Sequence, residues 1–144
     1  MALSERPNWS KWRTFQELNQ DKFLEIPSKP GAYIIASNIV IQRFHGSDDE
    51  GVIDIGESLD LRSRVIKFWR CAKDVDHKVT GHMAGWRFTN LKYQEILPLE
   101  KLFISYIICE SKDRAVDHER EQLEIYLFKH KELPPLNYKY SWPK

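Results

Sequence analysis

The sequence has little of several features that mark whole classes of protein. Its two cysteines, Cys71 and Cys109, lie far apart without metal-ligand spacing, which favours buried apolar side chains over a disulfide or a zinc site. No stretch approaches the roughly 18 consecutive apolar residues of a membrane span. The first twelve residues, MALSERPNWSKW, lack the apolar core of a secretory signal. We therefore expect a cytoplasmic protein without a membrane partner.

A basic excess is also absent, because 22 basic side chains are balanced by 21 acidic ones and the net charge is +1. Any binding of nucleic acid must then depend on local patches. Lys or Arg alternates with aromatic residues in three segments: SKWR at 10–13, LRSRVIKFWR at 61–70 and NYKYSWPK at 137–144. Each segment is either a nucleic-acid contact or an amphipathic surface with aromatic anchors in the core.

What is present is enough apolar content, 42% of 144 residues, for one domain with a real core. Apolar periodicity and turn residues predict a series of alternating elements. They are a helix at 11–24, a β-hairpin at 31–44 with its turn at Ser37 and Asn38, a strand at 51–56, a helix at 58–72 capped by Ser58 or Asp60, mixed loop at 73–86, a strand at 102–111 and a helix at 113–132. This order predicts an α/β (α+β) domain with helices against a small mixed sheet.

The segment GVIDIGES, residues 51–58, places a carboxylate in the middle of an apolar strand. Either the strand turns Asp54 outward, or a nearby charge or metal ion offsets its burial. Tyr33, Arg64 and Glu124 lie in other predicted elements. Together, a tyrosine, an arginine and a carboxylate can position water, neutralise a phosphate and hold a divalent cation, which phosphodiester hydrolysis requires.

Each of these residues also has a purely structural interpretation. Tyr33 can be an ordinary strand aromatic, Arg64 can pair with Asp60 one helical turn earlier, and Glu124 can be a solvated helix charge. The five histidines show no metal-ligand spacing, and most are expected at the surface. His82, in TGHMAGW, differs because a loop with flanking glycines can bring a side chain to a cleft.

Four separated motifs, in this order, resemble those of the GIY-YIG nuclease superfamily. They are PGAYII at 30–35, DIGESLDLRSRV at 54–65, EREQLEIYLF at 119–128 and LPPLN at 133–137. The resemblance covers most of the chain, from about Pro30 to Asn137. The first family motif matches residues 31–33, and the second matches residues 54–56, where Asp54 replaces the usual tyrosine.

The resemblance implies a small mixed sheet, mainly antiparallel and three-stranded, flanked by helices. It also implies a nuclease domain at 30–144, preceded by an N-terminal helical extension at 1–29. The implied activity is that of a divalent-metal-dependent endonuclease that acts on DNA, with Mg²⁺ or Mn²⁺ as cofactor.

Matching the motifs position by position assigns the family's residue roles. The catalytic arginine falls on Arg64 rather than on Arg62, and the metal-binding glutamate on Glu124 rather than on Glu119 or Glu121. Arg64 would stabilise negative charge on the phosphate, and Glu124 would bind the metal.

The remaining assignments follow the same motifs. Tyr33 would orient or deprotonate the attacking water, and Asn137 would brace the site. Phe68 stands where the family often has a histidine or tyrosine, which removes one possible proton-transfer group. The residues expected to contact nucleic acid are Arg62, Lys67, Arg70 and Asn137.

Asp54 would take over the water-orienting or general-base role, or serve as a second metal ligand, because both a cation and Arg64 would favour its ionised form. Two other functions remain open. One is a catalytically weakened or inactive nucleic-acid-binding module with the same fold. The other is a protein-interaction domain that uses aromatic residues of the N-terminal helix and of the KYSW tail at 139–142.

Overall fold

The computed structural model describes residues 3–73 and 81–140. Within these ranges there are six β-strands, four α-helices and two short 3-10 turns, Tyr93–Glu95 and Leu99–Lys101. In chain order the strands and helices are β1 (Arg13–Thr14), α1 (Phe15–Asn19), β2 (Gly31–Ala36), β3 (Ile41–Gln42), β4 (Ser47–Asp48), β5 (Val52–Ser58), α2 (Leu61–Ala72), α3 (Met83–Asn90), β6 (Phe103–Ile108) and α4 (Lys112–His130). In the same parts of the chain, no helix combines the length and apolarity needed to cross a membrane.

The main sheet has the strand order β1-β6-β2-β5, and all of its pairings are antiparallel. The predicted small α+β fold is confirmed, although the sheet has four strands where three were expected. The fourth strand, β1, is only two residues long and adds to the edge of β6. A separate two-stranded ribbon joins β3 and β4.

Helices cover both faces of the main sheet because side chains of the central strand β2 alternate between them. Tyr33 and Ile35 belong to the larger apolar core, with residues of α1, α2 and α3. Ile34 and Ala36 pack in a second core with Leu123 of α4. Among the described residues, β5 is the edge strand opposite β1, with no strand beyond it, and it packs against both α2 and α4.

The helix predicted at 11–24 is confirmed only over five residues. Thr14 caps α1 with its hydroxyl and exchanges bonds with Glu17 in a capping box, so the helix begins at Phe15. It ends at Asn19, and Lys22 and Phe23 then adopt positive φ angles of 58° and 66°, which no α-helix contains. Apolar residues of this segment are nevertheless buried in the larger core. Their helical spacing therefore reflected burial and not a continuous helix.

The first strand of the hairpin predicted over 31–44 is confirmed as β2, but its predicted pairing with the second strand is wrong. After β2 the chain turns at Ser37 and Asn38, but their backbone N–H groups donate to Gly51 and Glu50. The neighbours of β2 are β5 and β6, whose longer apolar stretches can pair along its whole length. Residues 41–48 instead form the short β3–β4 ribbon.

The other predicted elements are confirmed as β5, α2, β6 and α4. Asp60, one of the two proposed caps of α2, accepts a hydrogen bond from the backbone of Ser63. The expected mixed loop at 73–86 is partly wrong, because α3 begins at Met83 with His82 as its cap. Residues 74–80 of that loop lie outside the described ranges.

Candidate active site

A cleft of about 380 Å³ lies at the free edge of β5, between the α2–α3 pair and α4. Residues 136–140 of the C-terminal segment line it on a further side. Five residues singled out from the sequence line the cleft: Tyr33, Asp54, Arg64, His82 and Asn137. They are joined there by Arg87, Glu57, Glu119, Arg120 and Tyr138. The structure thus brings together residues from six separate parts of the chain.

Gly56 makes room for Tyr33. The two residues are partners across β2 and β5, and the tyrosine ring lies directly over the glycine. A Cβ atom at position 56 would be 2.3 Å from the Tyr33 hydroxyl oxygen and 2.4 Å from Cζ. Any larger residue would therefore push the ring out of the position from which it reaches Asp54.

The Tyr33 hydroxyl connects His82 with Asp54. It lies 2.9 Å from His82 Nε2 and 3.3 Å from Asp54 Oδ2. His82 Nδ1 accepts a bond of 3.2 Å from the backbone N–H of Gly85, so the neutral imidazole carries its proton on Nε2. His82 therefore donates to Tyr33, and Tyr33 donates to Asp54.

Burial sets the protonation states of the three hydrogen-bonded residues His82, Tyr33 and Asp54. It raises the pKa of Asp54 from 3.8 to about 7, against the opposing effects of the Tyr33 hydrogen bond and the Arg64 charge. Burial, assisted by Arg64, lowers the pKa of His82 from 6.5 to about 3. Burial also raises the pKa of Tyr33 well above 10. Among these three hydrogen-bonded residues, Asp54 is therefore the one that exchanges a proton near neutral pH.

Arg64 and Arg62 are only two positions apart on α2, but they bond to different parts of the chain, and only Arg64 lines the cleft. Arg64 donates from Nη1 to the carbonyl of Gly81 at 2.8 Å and lies close enough to lower the pKa of Asp54. Arg62 donates from Nε to the carbonyl of Ile26 at 2.7 Å and does not line the cleft. Arg64 is thus the arginine of the site, and Arg62 ties α2 to the N-terminal segment.

On α4, the carboxylate that lines the cleft is Glu119 and not Glu124. Burial, together with the negative charges of Glu57 and Asp54, raises the pKa of Glu119 from 4.5 to about 7. Glu124 instead accepts a hydrogen bond from the Tyr140 hydroxyl. Five positions correspond to a rotation of about 140° around a helix, so the two glutamates face different directions.

Asn137 braces the strand that carries Asp54. Its Nδ2 donates to the Ile55 carbonyl and its Oδ1 accepts from the Ile55 N–H, both at 2.9 Å. The amide thereby takes the place of a neighbouring strand at the free edge of β5. Of the other predicted nucleic-acid contacts, Lys67 and Arg70 are exposed on α2, and Lys67 is close enough to the site to lower the pKa of His82. Residues 141–144 of the third basic segment lie outside the described ranges.

The donor set suits a hydrated divalent cation better than a closed metal cage. No group of three or more His, Cys, Asp or Glu side chains within residues 3–73 and 81–140 is arranged to hold an ion. Mg²⁺ retains several waters and needs only one or two carboxylates besides substrate phosphates. Glu119 meets this requirement, because nearby Glu57 and Asp54 give its surroundings a negative charge that a cation would relieve.

Sequence reasoning missed three features of the cleft. The motif spacing favours Glu124 over Glu119, no sequence pattern points to Arg87, and Tyr138 is part of the candidate segment at 137–144 without a role of its own. His82 was noticed through its flanking glycines, but its partner Tyr33 lies 49 positions away. Its ring also meets that of Phe68 edge to face, with centroids 5.3 Å apart, so the cap of α3 lies against α2.

Comparisons of the chain with protein-family models, with curated proteins and with solved structures give no match in any of the three cases. The resemblance to GIY-YIG nucleases therefore rests on the four sequence motifs alone. The function must be argued from the chemistry of the cleft.

Proposed function

We propose that the cleft hydrolyses phosphodiester bonds in DNA with the help of a divalent metal ion. The observation that carries this proposal is the buried Asp54, whose pKa of about 7 suits a general base at neutral pH. Arg64 lies beside it, and Glu119 faces the same cleft from α4. A base, a cationic group and a metal-binding carboxylate are the parts that this reaction needs.

Asp54 is the group that accepts the proton of the attacking water. Its position is fixed by Asn137, which braces β5, and by the Tyr33 hydroxyl. Near neutral pH, the Tyr33 hydroxyl keeps its proton and the His82 imidazole stays neutral. Both groups position the Asp54 carboxylate and do not change protonation state with it. Arg64 offers its guanidinium to the phosphate as negative charge develops on the equatorial oxygens.

Glu119, with Glu57 nearby, would hold Mg²⁺ or Mn²⁺. When bound, the ion supplies Lewis-acid stabilisation of phosphate and leaving-group oxygens. Glu57 already forms an ion pair with Lys112 at 2.7 Å, so Glu119 is the carboxylate more available to the ion. This assignment replaces Glu124, which was expected from the motif spacing.

The test uses two glutamates of the same helix. Purified protein is incubated with plasmid and branched DNA in Mg²⁺, Mn²⁺ or EDTA, and Glu119→Gln is compared with the matched control Glu124→Gln. We expect metal-dependent cleavage by the parent, a loss of more than about 100-fold in Glu119→Gln, and near-parental rates in Glu124→Gln. Both melts should stay within a few degrees of the parent.

Three outcomes would count against this assignment. Parental cleavage by Glu119→Gln together with an inert Glu124→Gln would return the metal site to Glu124. A parent that cleaves neither DNA in either metal would refute the nuclease function. DNA binding by such an inert parent would favour the nucleic-acid-binding module.

A further inference from the structure

Tyr138 and Arg87 form a stacked pair in the wall of the cleft. The guanidinium carbon of Arg87 lies 3.7 Å from the centre of the Tyr138 ring. The side chain of Tyr138 is nevertheless 61% exposed, and the residue lines the cleft together with Tyr33 and Asp54. An aromatic ring held by a cation on one face and open to solvent elsewhere is a surface on which another flat group can stack.

This pair is held in place from both sides. Arg87 donates from Nη1 to the carbonyl of Leu136 at 2.6 Å. The backbone N–H of Leu136 in turn donates to Ile53 at 2.8 Å, and Asn137 is bonded to Ile55. Tyr138 therefore directly follows two residues that are fixed to β5. Such a ring needs little ordering when it binds a ligand.

Arg87 also links the stacked pair electrostatically to Asp54, the proposed general base. Its charge contributes to lowering the pKa of both Asp54 and His82. The Tyr138 ring, stacked on this guanidinium, lines the same cleft as the carboxylate that would activate water. A nucleotide whose phosphate lies near Arg64 and Asp54 would therefore occupy the cleft that the ring lines.

We propose that Tyr138, backed by Arg87, stacks on an unpaired nucleobase beside the bond to be cut, so that the cleft selects DNA with an unpaired nucleotide at that position. This inference rests on the proposed nuclease function. Bases inside a duplex are already stacked on both faces, and only a flipped, flapped or single-stranded base can present a face to a protein ring. Met83, 58% exposed and also in the cleft lining, adds an apolar surface.

The test measures binding separately from cleavage. Labelled DNA duplexes, fully paired or with one unpaired nucleotide, are titrated with protein in EDTA, and 2-aminopurine at the unpaired position reports stacking. We expect the parent to prefer the unpaired site by about tenfold and to quench the 2-aminopurine. Tyr138→Ala and Tyr138→Leu should lose both effects, and Tyr138→Phe should keep them.

Phe44→Ala provides the matched control, because Phe44 is 85% exposed but is not part of the cleft lining. This variant should bind as the parent does. Thermal melts of all variants separate a loss of stacking from a loss of fold, and Tyr138→Leu preserves apolar bulk if the alanine variant is unstable. Equal affinity of the parent for paired and unpaired DNA would overturn the inference, as would unchanged preference in both Tyr138→Ala and Tyr138→Leu.

The two proposals can fail separately. Metal-dependent cleavage without any preference for unpaired nucleotides would overturn the stacking site and leave the nuclease function intact. Quenching and preference without cleavage would refute the nuclease and leave a binding cleft with a stacking site. A parent that binds no DNA would refute both.

Discussion

Two buried aspartates, six positions apart, have opposite environments. Asp48 is 4% exposed and accepts hydrogen bonds of 2.9–3.1 Å from the backbone N–H groups of residues 50–52, and one of 2.8 Å from Tyr126. Asp54 is 3% exposed and accepts a longer bond of 3.3 Å from Tyr33. Burial therefore raises the pKa of Asp54 to about 7. The comparison separates a carboxylate that accepts four hydrogen bonds from one for which burial outweighs the bonds it receives.

The two aspartates have similar neighbours, which makes the comparison sharper. Beside Asp48, the rings of Tyr126 and His130 are 4.5 Å apart, and beside Asp54 the rings of Tyr33 and His82 are 6.2 Å apart. An aspartate, a tyrosine and a histidine thus meet on both faces of the sheet. Composition alone does not distinguish a structural cluster from a candidate active site. What distinguishes them is how completely the carboxylate is hydrogen-bonded.

The largest effect is expected from Arg64, the cation beside the reactive cluster. Arg64→Ala should lower the cleavage rate by about 100-fold or more with a smaller loss of DNA affinity, because its charge is needed most in the transition state. Arg62→Ala removes bonds to the carbonyls of Ile26 and Leu24 and should lower thermal stability with little effect on rate. Single-turnover cleavage and binding titrations measure both. Equal effects of the two variants would make α2 only a binding surface.

Asp48 should be the aspartate that the fold requires. Asp48→Ala leaves the backbone donors of residues 50–52 and the Tyr126 hydroxyl without their acceptor, which should cost about 3 kcal/mol of unfolding free energy. Urea denaturation monitored by fluorescence gives this value. A loss of less than about 1 kcal/mol would mean that the bonds around Asp48 are replaceable by water. The structural role of Asp48, and with it the contrast with Asp54, would then be refuted.

Asp54 should have the opposite effect on stability, which begins above about pH 4 and is largest above pH 7. Its folded pKa of about 7 exceeds the ordinary 3.8, so the folded state holds the proton more tightly and loses stability as pH rises from about 4 to 7. Asp54→Asn lacks this loss and should exceed the parent by about 2 kcal/mol at pH 8, but not at pH 4. The difference between variant and parent reports the ionisation of Asp54 together with its effect on the pKa of Glu119. A constant difference across this range would contradict the raised pKa.

The smallest effect concerns the two tyrosines. Tyr33→Phe removes a bond that lowers the pKa of Asp54, so the midpoint of the pH–rate curve should move upward by about half a unit. Tyr126→Phe should leave the midpoint in place and cost about 1 kcal/mol of stability. Cleavage rates between pH 5 and 9 and denaturation curves provide both readouts. A midpoint that moves downward in Tyr33→Phe would exclude its hydrogen bond to the carboxylate.

The parts of the fold that the sequence could predict are those with strong local patterns. The apolar strands β5 and β6, the cap of α2 at Asp60 and the long α4 bounded by LPPLN are all local features. The edge strand β1 could not be predicted, because its two residues are set by pairing with residues 103–104 from the far end of the chain. Pairing of β2 with β5 was missed because turn residues at 37–38 are equally good signals for a local hairpin.

The candidate site also combines residues that local sequence patterns predict with residues that only long-range packing brings into place. Tyr33, Asp54 and Arg64 lie in or next to well-patterned elements, and the structure places all three in one cleft. The choice between Glu119 and Glu124 depends on which side of α4 faces β5, and long-range packing decides that rotation. His82 could be suspected from its flanking glycines, but its contact with Tyr33 requires the fold.

The central claim, that Asp54 is a buried general base in a metal-dependent nuclease, is tested most directly by single-turnover DNA cleavage as a function of pH in Mg²⁺. The parent should show a rate that rises with pH to a plateau, with a midpoint near 7 set by Asp54. Asp54→Asn should be inactive throughout while remaining folded. Cleavage by Asp54→Asn at the parental rate, or a parent that cleaves at no pH, would contradict the account.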